Sequence, residues 1–191
     1  MSRLEPQPWM TAKSAQRVMA ALDAIRPGCA RFVGGCVRNA LLGEPVADID
    51  IATQLVPELV QKVMIAAKIA VHPTGIEHGT LTVVADHHPF EVTSLRQDVE
   101  TDGRRAVVAF TDDWLEDAGR RDFTFNALYA DRDGTLYDPF DGRRDLAEAR
   151  VRPDLGADGW KVHQRDVAQL VDGGLVLGAD HLNLPAPWSG L

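Results

Sequence analysis

The chain has 191 residues, with 28 acidic against 20 basic side chains and a formal net charge of −8. The length fits one domain or one domain with an appendage, and the 45% hydrophobic, 25% charged composition excludes the disordered and fibrous classes. No apolar run approaches the roughly 20 residues that a membrane span needs, and the amino terminus lacks an apolar signal core. Cys29 and Cys36 lack partners at metal-ligand spacing, and the acidic excess argues against a broad nucleic-acid surface. We therefore predict a reduced, cytoplasmic protein that does not span a membrane.

The first half of the chain predicts alternating helices and short strands. Apolar side chains recur at helical spacing, short apolar runs mark strands, and glycine or proline marks the boundaries. In chain order the elements are a helix over 9–25, a strand over 30–33, a Gly34-Gly35 turn, a helix through Leu42 closed by Gly43, a strand over 47–52 and a helix opened by Pro57.

The second half predicts a hairpin, a loop and three further helices, and the amino-acid composition changes after Val151. In chain order these are strands over 79–85 and 90–96, a mobile polar loop over 97–110, helices over 112–118 and 122–129, a short strand over 135–138, and a helix from Asp141 to about Ala149. After Val151 the chain becomes rich in glycine and proline. We therefore divide it into a domain over 1–151 and an atypical segment over 152–191.

Two glycines directly after the strand at 30–33 favour close approach of the backbone to a ligand. Gly34 and Gly35 permit a sharp turn, and the helix that follows offers free N–H groups and a positive dipole end, which suit phosphate. Arg38 adds a forked cationic donor about one turn later. The alternative is a plain strand-turn-helix unit with a surface arginine.

Asp48 and Asp50 are spaced to lie on one face of a strand, because side chains alternate with a period of two. Two adjacent carboxylates repel unless a cation lies between them, and oxygen-only ligands favour magnesium together with substrate phosphates. The alternative is a solvent-facing edge with two unpaired acids.

Glu91 is an acid in a strand otherwise composed for burial, between Phe90 and Val92. If this strand lies beside 47–52, Glu91 completes a three-carboxylate cluster of the kind that holds two metal ions for displacement at phosphorus. The alternative is an acid on the wet face of the strand, and periodicity alone does not set the strand order.

Arg120-Arg121-Asp122 precede the segment FTFNAL, where the sequence predicts a helix start. The arginines suit a phosphate or a base edge, and the aspartate suits a helix cap or an orienting acceptor. The alternative is a capped helix that carries surface charges.

Taken in order, these segments resemble the head domain of the class II tRNA nucleotidyltransferase (CCA-adding enzyme) and bacterial poly(A) polymerase family. The resemblance runs from about Arg31 to Val151. It is carried by RFVGGCVRNALLG, ADIDIAT, GIEHGTLTV, FEVTSLRQDVETDGRR and RRDFTFNALYADRDGTLYDPFDG.

The resemblance implies an α+β, polymerase-β-like nucleotidyltransferase fold, a small mixed sheet backed by helices. It implies that an RNA 3′-hydroxyl attacks the α-phosphate of a nucleoside triphosphate and releases pyrophosphate. The implied residue roles are metal ligation of Mg2+ by Asp48 and Asp50, a third catalytic acid at Glu91, nucleotide contacts from Gly34, Gly35, Arg38, Arg121 and Asp122, and a flexible loop containing Asp102, Gly103 and Arg104.

The sequence departs from the family pattern at two places. Asn39 stands where the family usually has aspartate, which keeps the shape but loses the charge. After Val151 the base-selecting neck with its Glu-Asp-x-x-Arg pattern is missing, so that 152–191 fits a truncated or divergent neck.

We therefore expect a magnesium-dependent enzyme that transfers nucleotides from CTP and ATP to the 3′ end of tRNA or another RNA, incomplete by itself. The alternatives are a poly(A) polymerase-type transferase and a catalytically idle nucleotide-binding module that acts with a partner. If the neck-facing surface is exposed, we also expect apolar patches and self-association. The base specificity stays open.

Overall fold

The computed structural model describes residues 2–99 and 107–151, which contain nine strands and six helices. The strands are β1 (Ala30–Val33), β2 (Asp50–Thr53), β3 (Ala70–Gly75), β4 (Thr80–Ala85), β5 (His88–Ser94), β6 (Arg96–Val99), β7 (Val107–Phe110), β8 (Tyr129–Ala130) and β9 (Leu136–Tyr137). The helices are α1 (Pro8–Thr11), α2 (Lys13–Asp23), α3 (Gly35–Leu42), α4 (Pro57–Ala66), α5 (Trp114–Gly119) and α6 (Gly142–Ala147), with 3₁₀ turns at Ile76–His78 and Thr124–Asn126.

Seven of the strands form one mixed sheet in the order β3-β4-β5-β2-β1-β8-β9. Strands β2 and β5 run parallel, and every other neighbouring pair is antiparallel. Strands β6 and β7 form a separate two-stranded ribbon. The parallel pair lies in the middle of the sheet, where the chain places its acidic strand beside the strand that carries Glu91.

Helices α2 and α4 pack on each other and on the sheet. Their apolar side chains recur at three- and four-residue spacing, so that each helix buries one face. The apolar positions that enter the core are Ala15, Val18, Met19 and Leu22 on α2, and Val60, Val63 and Met64 on α4. They meet Phe32, Leu81, Val83 and Phe90 of the sheet in one core. This confirms the predicted architecture, a mixed sheet backed by helices.

Residues 2–4 extend the sheet beyond β9. The Leu4 N–H donates to the Gly134 carbonyl at 2.8 Å, and the Leu136 N–H donates to the Ser2 carbonyl at 3.0 Å. The Leu4 side chain is buried. The amino-terminal segment therefore covers the outer edge of β9.

Most of the predicted elements are present, with shifted ends. The helix predicted over 9–25 divides at Ala12, whose ψ of 140° interrupts the helical backbone between α1 and α2. The strand predicted over 47–52 begins only at Asp50 and runs to Thr53. Within the loop predicted over 97–110, both described ends are strands, β6 and β7.

One prediction for regular structure was wrong, and one strand was not predicted. The helix predicted over 122–129 is a single 3₁₀ turn followed by β8, because Tyr129 and Ala130 pair with β1 at the sheet. Strand β3 was not predicted, because Pro73 and a mostly exposed surface hide the alternating pattern of a strand at the sheet edge. Tertiary pairing determines both segments.

Candidate active-site cleft

A cleft of about 430 Å³ opens beside the β1–α3 turn and the start of β2. Its walls come from three separate segments of the chain: 34–39, 45–50 and 121–126. Seven residues singled out in the sequence line it together: Gly34, Gly35, Arg38, Asp48, Asp50, Arg121 and Asp122. Glu91 is not among the lining residues, and Asp102, Gly103 and Arg104 lie outside the described residues.

The backbone at Gly34 makes the sharp turn between β1 and α3. Its φ of 70° and ψ of −131° suit glycine, and its N–H donates to the Leu128 carbonyl at 3.2 Å. Helix α3 begins at the next residue, with its free N–H groups at the cleft. The turn therefore supplies backbone donors, a positive helix end and, one turn later, the side chain of Arg38.

Asp50 is the first residue of β2 and is paired in register with Glu91 of β5. Burial and then the charge of Glu91 raise the pKa of Asp50 to about 6, although Arg121 acts to lower it. Asp48 also raises that pKa, so the three acids interact electrostatically. The parallel pairing resolves the strand order that periodicity left open.

The three acids differ in exposure. Asp50 is half-buried, whereas Asp48 and Glu91 are exposed. In the described part of the chain, no group of three or more His, Cys, Asp or Glu side chains is arranged as a metal-binding cluster. The observed arrangement is a paired Asp50 and Glu91 with Asp48 nearby, an oxygen-only donor set of the kind that magnesium prefers.

Asn126 joins opposite charges across the cleft. The Arg38 Nη1 group donates to the Asn126 Oδ1 atom at 2.8 Å, and the Asn126 Nδ2 group donates to the Asp122 carboxylate at 2.9 and 3.1 Å. Asp122 also accepts the Phe123 N–H at 2.9 Å. Burial lowers the pKa of Arg38, and the nearby charge of Asp122 acts to raise it. The bridge holds the arginine and the aspartate at fixed positions.

Asp117 forms a buried ion pair with Arg121, whose side chain lines the cleft. The Asp117 carboxylate is only 1% exposed and accepts from Arg121 Nη2 at 3.0 Å and from Arg120 Nη2 at 2.6 Å. The Tyr129 hydroxyl donates to Asp117 Oδ2 at 2.8 Å and accepts from Arg121 Nε at 3.1 Å. Burial would raise the pKa of Asp117, but Arg121 and Arg120 hold it below its usual range.

Asn39 also lines the cleft, and its side-chain amide forms two hydrogen bonds. Its Nδ2 group donates to the Pro45 carbonyl at 3.0 Å, and its Oδ1 atom accepts from Arg38 Nε at 3.1 Å. These bonds tie α3 to the segment that leads into β2. The expectation that Asn39 orients the turn stays a prediction.

Sequence reasoning missed Asn126, Asp117 and Tyr129 as members of the site. Asp117 precedes Arg120 and Arg121 by three and four residues, a spacing at which side chains on a helix meet. This spacing could have predicted the two ion pairs. Asn126 lies four residues after Asp122. Tyr129 gave no signal, because only the pairing of β8 with β1 brings its hydroxyl to Arg121.

A sequence model of the family described as "Poly A polymerase head domain" matches residues 30–152. The mitochondrial CCA tRNA nucleotidyltransferase 1 of Danio rerio is 46% identical over 123 residues, which are 64% of this chain and 28% of that protein. The CCA-adding enzyme of Oceanobacillus iheyensis is 47% identical over 123 residues, 63% of this chain and 30% of that enzyme. The chain thus spans less than a third of the length of these relatives.

Solved structures show the same likeness. A crystal structure of the Bacillus stearothermophilus CCA-adding enzyme in complex with CTP aligns with a TM-score of 0.63 and 35% identity, over 75% of this chain and 34% of that one. A tRNA nucleotidyltransferase complexed with a primer tRNA and an incoming ATP analogue aligns with a TM-score of 0.54 and 33% identity, over 70% and 38% of the two chains.

Proposed function

We propose a function from one premise: the chain belongs to the poly A polymerase head-domain family, whose pattern covers residues 30–152. The proposed function is magnesium-dependent nucleotidyl transfer, in which CTP or ATP donates a nucleotide to the 3′ end of tRNA or another RNA. The observation that supports it is the convergence of seven predicted residues, from three segments of sequence, on one cleft.

In this proposal the cationic part of the cleft holds the triphosphate. The backbone N–H groups after Gly34 and the guanidinium groups of Arg38 and Arg121 offer donors to phosphate oxygens. Asn126 fixes Arg38 while leaving its charge intact. Positioning of the α-phosphate and stabilisation of charge on the leaving pyrophosphate account for most of the rate in phosphoryl-transfer sites.

The acids Asp48, Asp50 and Glu91 are proposed to hold magnesium. Their carboxylates supply hard oxygen ligands. A cation at Asp50 would stabilise the ionised carboxylate against the burial and the repulsion by Glu91 that raise its pKa. When bound, magnesium would stabilise negative charge on the phosphates and favour ionisation of the attacking hydroxyl. Asp102, Gly103 and Arg104 are proposed to form the loop that reorganises between nucleotides.

The proposal treats the chain as one working part of a larger activity. Because it spans less than a third of its relatives' length, grip on the RNA and selection of the base are assigned to parts beyond 1–151 or to a partner. The segment 152–191 is proposed to correspond to the neck in a divergent form. This also favours a second candidate, a nucleotide-binding module that acts with a partner.

The test is incorporation of labelled CTP and ATP into tRNA that lacks its CCA end. We expect magnesium-dependent incorporation that falls at least about a thousandfold in Asp50→Asn and Asp48→Asn. Glu58→Gln, an exposed acid on α4 outside the cleft, is the matched control and keeps the wild-type rate.

Other results separate the alternatives. Incorporation of ATP alone into any RNA 3′ end would favour a poly(A) polymerase-type transferase. Saturable, magnesium-dependent triphosphate binding without incorporation would favour the module. Absence of triphosphate binding would reject both candidates.

Compartment and association complete the proposal. No helix among the described residues has the length and apolarity to cross a membrane. The free thiols of Cys29 and Cys36 fit a reducing compartment, and we propose the cytoplasm, to be checked by microscopy of the tagged chain. Exposed apolar side chains such as Ile65 and Leu115 support self-association, which sedimentation velocity would detect as a concentration-dependent increase in mass.

A further inference from the structure

The two oxygens of the Asp117 carboxylate serve different parts of the fold. Oδ1 accepts from the Arg120 guanidinium at 2.6 Å and from the Arg96 N–H at 3.3 Å, at the base of the β6–β7 ribbon. Oδ2 accepts from Arg121 Nη2 at 3.0 Å and from the Tyr129 hydroxyl at 2.8 Å, on the side of the cleft. A single buried carboxylate therefore joins the ribbon to the cleft arginine.

These contacts restrict the orientation of the Arg121 side chain. Its hydrogen bonds to residues within the described ranges all leave from Nε and Nη2, toward Asp117 and Tyr129. Nη1 lies on the other side, 3.9 Å from the position that a Cβ on Gly34 would take. The guanidinium thus presents one edge to the cleft beside the glycine turn.

The charge balance of this cluster favours an anion in the cleft. Arg120 and Arg121 carry two positive charges against the single charge of Asp117, and the Arg121 side chain is only 18% exposed. A half-buried excess positive charge is costly without a partner. Asp50, which lines the cleft, interacts electrostatically with Arg121. In the proposed function, however, Asp50 binds magnesium.

Tyr129 is itself held rigidly. It is buried in β8, its ring packs edge-on against Trp114 with centroids 5.3 Å apart, and it pairs with Val33 of β1. A side chain fixed by strand pairing and ring packing is a stable support for the hydrogen bond to Arg121.

We propose that Asp117 and Tyr129 are positioning residues, which fix the Arg121 guanidinium so that its Nη1 edge meets an anionic phosphate group of the substrate beside Gly34. The inference rests on the proposed function of the cleft. Neither residue contacts the substrate in this arrangement; both act through Arg121. Loss of the tyrosine hydroxyl should free Arg121 to rotate without disturbing the packing of the ring.

The test combines binding with a signal from the arginine itself. In the full chain, Tyr129→Phe should weaken ATP binding in the presence of magnesium by about tenfold, the effect of losing one hydrogen bond to a charged group. In an Arg121→Lys background, which lacks the planar fork, the same change should have no further effect. Tyr137→Phe is the matched control and keeps wild-type affinity, because its hydroxyl bonds Asp131 outside the cleft.

The nucleotide-free readout is exchange of the Arg121 Nε–H proton with water, followed by nuclear magnetic resonance and assigned by its loss in Arg121→Lys. We expect slow exchange in the wild type and exchange at least about tenfold faster in Tyr129→Phe and Asp117→Asn. Unchanged exchange in Tyr129→Phe, or equal losses of affinity in both backgrounds, would overturn the inference. If the wild type binds no triphosphate, the proposed function fails, and the exchange rates still decide whether Tyr129 holds Arg121.

Discussion

Asp50 and Glu91 are direct partners across the two parallel strands in the middle of the sheet. A half-buried acid beside a second acid favours the protonated form, and burial together with Glu91 raises the pKa of Asp50 from 3.8 to about 6. The pairing therefore connects the strand order to the stability of the chain and to the proposed binding of a cation.

The first prediction concerns pH and Asp50→Asn in the metal-free chain. Because the folded pKa of Asp50 lies above its unfolded value, the native state binds this proton more tightly, so its contribution to stability is complete below about pH 4 and is lost as pH rises through 6. Asparagine removes that dependence. We expect the variant to gain stability relative to the wild type between pH 4 and 7, measured by urea denaturation with a chelator.

Magnesium should counteract the loss of wild-type stability that ionisation of Asp50 causes. Added above pH 6, it should raise the melting temperature of the wild type more than that of Asp50→Asn, since the ligand must be ionised. Glu58→Gln serves as control and should follow the wild type. If the stability difference between the wild type and Asp50→Asn were the same at pH 4 and pH 7, the raised pKa of Asp50 would be contradicted.

The second prediction concerns the bridge between Arg38 and Asp122. Asn126→Ala removes the side-chain hydrogen bonds to both Arg38 and Asp122 and leaves the two charges without a common partner. We expect ATP affinity to fall about tenfold, measured by isothermal titration calorimetry. Gln54→Ala, which also loses an amide hydrogen bond but lies outside the cleft, should retain wild-type affinity. Equal losses in the two variants would show that Asn126 has no specific role.

The third prediction concerns Asn39→Asp, which restores the residue usual in the family. The carboxylate would keep the contact with Arg38 but lose the donor to the Pro45 carbonyl. We expect a loss of about 1 kcal/mol in the free energy of unfolding and less than about a threefold change in ATP affinity. A loss of magnesium-dependent binding would instead show that this position takes part in metal ligation.

The fourth prediction concerns the contact between α6 and the 3₁₀ turn that carries Asn126. A Cβ on Gly142 would lie 2.3 Å from the Thr124 carbonyl oxygen, so Gly142→Ala must displace the helix or the turn. We expect a loss of about 3 kcal/mol in the free energy of unfolding, together with weaker ATP binding. In Gly119→Ala, in α5, the new Cβ would meet Phe140 alone among the described residues, at 3.8 Å, and we expect stability to change by less than about 1 kcal/mol.

Local chemistry predicted those parts of the site that depend on neighbouring residues. Gly34 makes the turn because few other residues suit its φ of 70°, Gly35 begins α3, and Arg38 follows at a helical spacing. The acidic strand and Glu91 were identified from residue types, and the parallel pairing placed them together. The resemblance to a known family rested on the order in which these segments follow one another along the chain.

The parts that sequence could not predict depend on long-range pairing. A polar side chain such as Asp117 reads as a surface acid of a short helix until Arg120, Arg121 and Tyr129 surround it. The segment around Tyr129 reads as helical until β1 pairs with it. In both cases the local preference is weak and the tertiary contact decides.

The seven-stranded sheet has two outer edges, and both are shielded. Residues 2–4 occupy the free side of β9, while β3 at the opposite end carries Pro73, which lacks an N–H group, and a register shift between His72 and Gly75. An approaching strand from another molecule would find no uninterrupted ladder of donors and acceptors on either side. Should copies of this chain associate, their contact is therefore expected through side-chain surfaces, and amyloid-like growth by strand addition is disfavoured.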